Sequence, residues 1–484
     1  MATQTSPSRK REAKDTPQVS NSSRERAEAA KAYIEHKYSK LKREESEKKE
    51  CWDELGRKML ELNLSQTEQN MIRQNILHSE AELMRQRRKR VTVYDFDPVS
   101  IIGRGAFGEV RLVRHKETDE VLAMKKMNKS EMLHKNQVQH VRAERNVLAM
   151  ADNPWIVQLR YSFQDEHFLY LAMEYLPGGD LMTILMKRDI LPEDEARFYI
   201  AETILAVESV HKMNYIHRDL KPDNVLIGSD GHVKLSDFGL CKHSDVTANN
   251  PYSNLRKLEI DAKHKAYMDK KSEFRRSRKL AFSTVGTPDY IAPEVFRRAG
   301  YDETVDWWSV GVIFFEMVVG YPPFFADEPS VTCQKILHWK QTLQIPKEAC
   351  LSRAGTDLIE KLVCDPQDRL GARGVEEIKN HPFFLGIRWD KLRKSKAPWI
   401  PEVDSEVDTR NFDNFEETEP FYPEENPQKR KARKDPNFIG YTYKREDENQ
   451  RASLVTALQE LEAVKNSSSR KPVSRHQSRD IYLA

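Results

Sequence analysis

His217-Arg218-Asp219-Leu220-Lys221-Pro222-Asp223-Asn224, with Asp237-Phe238-Gly239 thirteen residues beyond Asn224, decides how the rest of the chain is read. Within a short length it supplies one carboxylate able to act as a base, one lysine cation and two hard-oxygen ligands for a divalent metal. Moving a terminal phosphoryl group needs that set. Charge spread over the γ-phosphate oxygens must be neutralised, and a carboxylate must orient the attacking hydroxyl. In this reading Asp219 accepts the hydroxyl proton, Lys221 neutralises charge near the γ-phosphate, and Asn224 and Asp237 hold Mg²⁺. A His-Arg-Asp tripeptide alone would mean little; the full string followed by Asp-Phe-Gly, in this order, is specific.

Toward the N-terminus, residues 94–127 read as strands. Phe96 to Ile102 runs into Gly103-Arg104-Gly105-Ala106-Phe107-Gly108-Glu109-Val110, and Ala123-Met124-Lys125 follows. Glycines between two strands let backbone N–H groups approach phosphates closely. Ile102 to Val110 are therefore expected to cover the ATP phosphates, with Lys125 pairing the α and β phosphates. A helix over about 138–150 carries Glu144, the natural ion-pair partner of Lys125. After Glu174, Tyr175 and Leu176, the Pro177-Gly178-Gly179 break marks a hinge. Backbone groups near Glu174 and Leu176 are expected to meet the adenine edge.

Toward the C-terminus, Ala292-Pro293-Glu294 begins 53 residues past Gly239. The stretch between contains Lys263, Lys265, Lys270, Lys271, Arg275, Arg276, Arg278 and Lys279, too charged to pack. An insert over about 245–282 is expected to be mobile, ahead of Phe282-Ser283-Thr284. The apolar run from Trp307 to Gly320 is broken by Glu316 and too short to span a bilayer, so it reads as a buried helix. Asp306 is expected to tie down the catalytic stretch, and Arg369 to pair with Glu294. Residues 385–445 form an extension containing Asn411-Phe412-Asp413 and Phe438-Ile439-Gly440-Tyr441-Thr442-Tyr443. Residues 446–484 form a polar tail, with one amphipathic helix expected over 449–465.

The 484 residues allow about two to four domains. A chain 38% hydrophobic and 32% charged suits a globular core with polar extensions, and the net charge of +3 argues neither for nor against nucleic acid. The basic runs lack regularly interleaved aromatics, which ranks a nucleic-acid binder last. Five cysteines without a CxxC point to a reducing compartment and no zinc site. No apolar signal core opens the chain, so a soluble protein of the cytoplasm, with the nucleus as a second compartment, is expected. Residues 1–22 read as a disordered tail. Residues 23–93 lack proline and carry apolar residues at helical spacing. Two or three helices are expected, with Ser65-Gln66-Thr67-Glu68 opening a new one as a capping box. Such helices need a partner or the next domain, and the run Arg85, Arg87, Arg88, Lys89, Arg90 reads either as a solvated charged face or as a docking surface for an acidic partner, with a nuclear signal as a minor option.

Taken together, residues 94–445 resemble the AGC group of serine/threonine protein kinases, with the NDR/LATS branch the nearest likeness. The carriers are the Asn-Phe-Asp segment, a hydrophobic motif of the form F-x-x-[FY]-[ST]-[FY] at Phe438 to Tyr443, the long basic insert, and AFSTVGTPDYIAPEVF at 281–296. The helical 23–93 region is broadly similar to the branch's Mob-binding segment. The resemblance implies an α+β, two-lobed eukaryotic protein kinase fold over 94–384, with a helical N-terminal regulatory region and an AGC C-terminal extension over 385–445. It implies ATP and Mg²⁺ as cofactors, phosphosites at Ser283 and Thr442, an upstream kinase for Thr442, and a Mob-type adaptor on residues 23–90. It further implies an autoinhibitory insert, and signalling that controls cell morphology, polarity or proliferation. Asp180, Asp223 and Glu316 match positions that hold basic residues upstream of the target, so substrates are expected to carry Arg, Lys or His there. A Rho-kinase-like or protein-kinase-B-like enzyme is the alternative within the group, which the insert speaks against. A kinase-fold scaffold acting by binding alone is the alternative outside it.

Overall fold

The computed structural model describes residues 21–105, 108–135, 137–243, 288–297, 300–417, 420–423, 436–438 and 440–445. The expected tail at 1–22, apart from Asn21 and Ser22, which open the first helix, lies outside them, as do the tail at 446–484, the helix over 449–465, the basic insert and Ser283. The chain divides into two units, with residues 90–445 forming the larger and residues 21–89 the described part of the smaller.

In the smaller unit, α1 (Asn21–Glu61) and α2 (Gln66–Arg88) are joined by a short turn. Asn63 makes the reversal at φ +53°, a left-handed conformation that asparagine tolerates. The capping box is formed: Ser65 N–H donates to Glu68 Oε2 at 2.8 Å, and Glu68 N–H donates back to Ser65 Oγ at 3.3 Å. Leu55, Met59 and Ile76 form a buried cluster, with Trp52, Leu62, Leu64 and Ile72 packed around it. Spacing of i, i+4 and i, i+7 along α1 puts these apolar groups on one face. Tyr38, Leu60, Met71 and Leu77 stay exposed.

The larger unit begins with an antiparallel sheet. Strands β1 (Phe96–Gly105), β2 (Gly108–His115), β3 (Val121–Asn128), β4 (Leu159–Gln164) and β5 (Phe168–Glu174) lie in the order β1-β2-β3-β5-β4. A sixth strand, β10 (Tyr443–Lys444), comes from the far end of the chain and closes the β4 edge. Gly108 is required where it stands, because a Cβ there would lie 1.8 Å from the Lys126 carbonyl. On β3 the two-residue period sorts side chains by face. Leu122 and Met124 join an outer apolar cluster, whereas Ala123 and Lys125 alternate with them toward the cleft. Two helices, α3 (Lys129–His134) and α4 (Val138–Met150), pass behind the sheet. Val141, Glu144, Arg145 and Leu148 are buried on α4, an i, i+3, i+4, i+7 stripe.

After the hinge come α5 (Leu181–Arg188) and α6 (Glu193–Lys212). Two small antiparallel strand pairs follow, β6 (Tyr215–Ile216) with β9 (Lys242–His243), and between them in sequence the hairpin of β7 (Val225–Ile227) with β8 (Val233–Leu235). The core of this lobe is α7 (Thr304–Val319), all of whose residues are buried, packed on α6 and on α8 (Arg353–Leu362). No described helix is long and apolar enough to cross a membrane. All five cysteines are unpaired.

The extension after residue 384 is a strap across both lobes. Tyr175 Oη donates to the Asp408 carbonyl at 2.5 Å, and Asn411 Nδ2 donates to the Pro177 carbonyl at 2.8 Å. Gly179, at φ +74°, could not carry a Cβ, which would meet the Asn411 carbonyl at 2.7 Å. Farther along, Lys126 Nζ donates to the carbonyls of Pro420 and Phe421, both at 3.1 Å, and the Arg111 guanidinium lies over the Phe421 ring.

Candidate active site

The cleft between the lobes collects the phosphate-handling candidates. Lys125 stands opposite Val110 in the β2–β3 register, beneath the glycine-rich turn. Its Nζ lies 2.7 Å from Glu144 Oε1 and 3.6 Å from Asp237 Oδ1. Burial works against the ammonium charge, but the carboxylates of Asp237 and Glu144 more than offset it and hold the group protonated above the ordinary lysine range. The Lys125 charge in turn keeps the Asp237 carboxyl below its usual value against burial. Three side chains from β3, α4 and the Asp-Phe-Gly turn thus form one charged node.

Asp219, Lys221 and Asn224 form a second node. Lys221 Nζ lies 2.9 Å from Asp219 Oδ2; Asn224 Nδ2 donates to the same oxygen at 3.1 Å and to the Asp219 carbonyl at 2.8 Å. Because the Asn224 amide nitrogen is committed to Asp219, its oxygen is left as the ligand atom. With the Asp237 carboxylate, that oxygen makes a hard donor set suited to Mg²⁺. The described residues hold no cluster of three or more His, Cys, Asp or Glu for a metal. When bound, the metal neutralises charge on the transferring group; the chain's part is to hold these two oxygens.

The second node rests on Asp306, fully buried at the start of α7. Its carboxylate accepts the backbone N–H of His217 and of Arg218, each at 2.8 Å, and His211 Nε2 sits 2.8 Å away. Burial opposes its ionisation, yet His211, the nearby His217 and the Arg218 amide carry the balance and lower its pKa. Arg218 (φ +66°) and Asp237 (φ +54°) are held in left-handed conformations. Each costs about 1–3 kcal/mol and persists only where surrounding bonds impose it.

Other sequence candidates fall in different surroundings. Gly103, Gly105 and Gly108 line the turn, and Ala106 and Phe107 lie outside the described residues. Ile102 is 9% exposed; the Arg104 side chain bonds the Glu416 carbonyl, and Glu109 pairs with Arg111 at 3.4 Å. Glu174 donates its N–H to the Gln158 carbonyl, and its carboxylate takes Lys234 Nζ at 2.7 Å; Leu176 is buried beside it. Asp180 caps α5, accepting Thr183 N–H at 2.7 Å. Glu316 is 1% exposed and accepts the Tyr290 hydroxyl at 2.5 Å, while Asp223 is half-buried in the turn before Asn224. Thr442 is exposed between Tyr441, buried, and Tyr443, half-buried. Lys129 lies over the Phe438 ring, Arg145 over the Tyr441 ring, and Ser162 Oγ donates to the Tyr441 carbonyl at 2.6 Å. The hydrophobic motif is therefore docked on the helix that carries Glu144.

Sequence reasoning did not find the grip of Asn411 on the hinge, nor the contact between Arg218 Nη1 and Tyr301 Oη at 2.8 Å. No local pattern announces either, since their partners are 234 and 83 residues apart.

Comparison with known proteins gives the same picture. The protein kinase domain family matches residues 96–384, and the protein kinase C-terminal domain family matches residues 403–443. "Probable serine/threonine-protein kinase ndrB" of Dictyostelium discoideum is 47% identical over 448 residues, covering 87% of this chain and 82% of its own length. The serine/threonine-protein kinase tricornered of Drosophila melanogaster is 45% identical over 439 residues, covering 87% and 94%. The serine/threonine-protein kinase CBK1 of Candida albicans is 42% identical over 472 residues, covering 89% and 64%. With the two charged nodes and the strap in place, the chain belongs to the protein kinase family, as a serine/threonine kinase of the AGC group and its NDR/LATS branch.

Proposed function

We propose that this kinase moves the γ-phosphate of Mg-ATP onto serine or threonine in proteins that carry basic residues upstream of the target. The observation that carries the reading is the pairing of the two nodes: Lys125–Glu144–Asp237 to hold the nucleotide, and Asp219–Lys221–Asn224 to orient the acceptor. Asp219 Oδ2 is the proton acceptor, and Lys221 and Asn224 fix its direction. Of the three substrate-side acids, Asp180 and Asp223 are half-buried and open to a basic side chain, while Glu316 would receive one from within the lobe. Transfer from Mg-ATP to a peptide with arginine upstream of serine, lost in its alanine-substituted form, tests the reading. Equal transfer to both peptides would remove the basic preference.

In this proposal two phosphates switch the enzyme on. At Ser283 a phosphate meets Arg218 and sets the activation segment. At Thr442 it reinforces Phe438 and Tyr441 on α4, and so holds Glu144 against Lys125. Thr442→Ala is expected to lower kcat by about tenfold or more. The comparison uses enzymes phosphorylated to the same extent at Ser283, checked by mass spectrometry; equal turnover would dismiss the role of Thr442.

A Mob-type adaptor on residues 23–90 belongs to the same proposal. The exposed apolar groups of α1 and α2 and the exposed Arg85, Arg88 and Lys89 suit an acidic partner with an apolar centre. Affinity for such an adaptor is expected to fall several-fold as salt rises through the physiological range, because the contributing charges are solvent-exposed. A titration series by calorimetry decides it, and an affinity indifferent to salt would count against the charge logic. The pathway proposed is one controlling cell shape, polarity or proliferation, in cytoplasm and nucleus.

A further inference from the structure

Helix α4 ends at Met150 with no basic residue in its last turn, so nothing within the helix answers its last carbonyls or the negative end of its dipole. The cation comes from the far end of the chain. Arg445, directly behind β10, donates from Nη1 to the Ala151 carbonyl at 3.0 Å and from Nη2 to Asp152 Oδ1 at 2.7 Å. Its backbone N–H donates to the Arg160 carbonyl at 2.8 Å, which extends the β10–β4 ladder by one bond and fixes where the side chain starts. The Arg445 side chain is 13% exposed and that of Asp152 89%. A pair with so exposed a carboxylate is worth little. The stronger half of the fork is therefore the bond to Ala151, the buried C-cap residue of α4.

The place of this grip matters more than its strength. The loop after α4 is tied to the helical lobe. Asn153 Nδ2 donates to Ser209 Oγ on α6 at 3.1 Å, Leu235 N–H to the Trp155 carbonyl at 2.8 Å, and Val157 N–H to the Leu235 carbonyl at 3.0 Å. The hinge for any swing of α4 is thus its C-terminal end, and Arg445 holds the chain at that hinge. Glu144 lies seven residues before Ala151, roughly 10 Å along the axis. A tilt of about ten degrees would move it by roughly 2 Å, enough to break the 2.7 Å contact with Lys125 Nζ. Phe438 and Tyr441 meet Lys129 and Arg145, farther from this end of the helix.

We propose that Arg445 is a positioning residue for the Lys125–Glu144 pair: its guanidinium caps α4 at Ala151 and so sets the angle at which Glu144 meets Lys125. The proposal rests on the reading of that pair as part of the nucleotide-holding node, and adds the residue that aims it. Arg445 itself touches neither nucleotide nor acceptor.

The test is a double-mutant cycle on the full-length chain: wild type, Arg445→Ala, Glu144→Gln and the two together, with Thr442 phosphorylation matched by mass spectrometry. Alanine keeps the backbone bond to Arg160, and assays run well below each protein's measured melting temperature. In Arg445→Ala, kcat/KM for Mg-ATP is expected to fall about tenfold, the size of a lost hydrogen bond to a charged group, while the KM for the acceptor peptide holds. In the Glu144→Gln background the same substitution is expected to change kcat/KM by less than about twofold, because the pair it aims is already gone. A merely structural role would lower activity by the same factor in both backgrounds. That result, or an Arg445→Ala enzyme equal to wild type, overturns the role of Arg445 and leaves the node standing. A Glu144→Gln enzyme equal to wild type overturns both.

Discussion

Asp219→Asn gives a folded enzyme whose kcat falls by about a hundredfold to ten-thousandfold, the range assigned to loss of a positioned proton acceptor. The substitution is nearly isosteric. An asparagine oxygen can still accept from Lys221 Nζ or Asn224 Nδ2, which now contact Asp219 Oδ2 at 2.9 Å and 3.1 Å. What it cannot do is take a proton from the acceptor alcohol. The KM for ATP should stay close to that of the parent, because the node proposed to hold the nucleotide is the separate ion-pair cluster of Lys125, Glu144 and Asp237. Initial rates with a phosphoacceptor peptide, read beside a melting curve, decide the matter. A loss smaller than about tenfold without a change in melting would take Asp219 out of the chemistry.

Arg369→Lys is expected to destabilise the helical lobe by about 3–5 kcal/mol, lowering Tm by on the order of ten degrees. Arg369 is 1% exposed and serves several acceptors together: Glu294 Oε1 at 2.5 Å, Glu294 Oε2 at 3.1 Å, and the carbonyls of Thr304 and Cys364, both at 2.8 Å. Its guanidinium also lies over the Trp308 ring. An ammonium has three donors and no plane, so it cannot reproduce the fork or the stacking. The penalty comes less from a lost attraction than from Glu294 and two carbonyls left buried and underbonded. Differential scanning calorimetry checks it, and a shift within a degree or two would show that lysine and water can fill the site.

These contacts show which parts of the molecule are written locally. The catalytic string reads directly because its residues are neighbours in sequence and their chemistry requires that order. Helix α4 reads because Val141, Glu144, Arg145 and Leu148 follow the helical repeat, and the break at Asn63 to Ser65 because caps have residue preferences. The strap does not read. Asn411 meets Pro177, and Lys126 meets Pro420, through backbone carbonyls, which any residue possesses and no motif records. Glu316 illustrates a different difficulty. From sequence it is both a substrate-side acid and the one charge interrupting an apolar helix; only the fold shows it fully enclosed beside Tyr290.

The sixth strand carries a consequence for how this protein must be handled by the cell. Part of the outer edge of β4 is covered because Tyr443 and Lys444 pair with Ser162 and Tyr161 and Arg445 N–H donates to the Arg160 carbonyl at 2.8 Å. An unpaired edge of that kind invites association with any extended chain nearby. A ribosome that has released residues up to 384 has made both charged nodes of the cleft, yet the sheet is still open and the pockets for Phe438 and Tyr441 are vacant. The order of synthesis thus postpones completion of the catalytic lobe until nearly the whole polypeptide has emerged, and proteolysis behind residue 400 would undo maturation without touching a single active-site side chain.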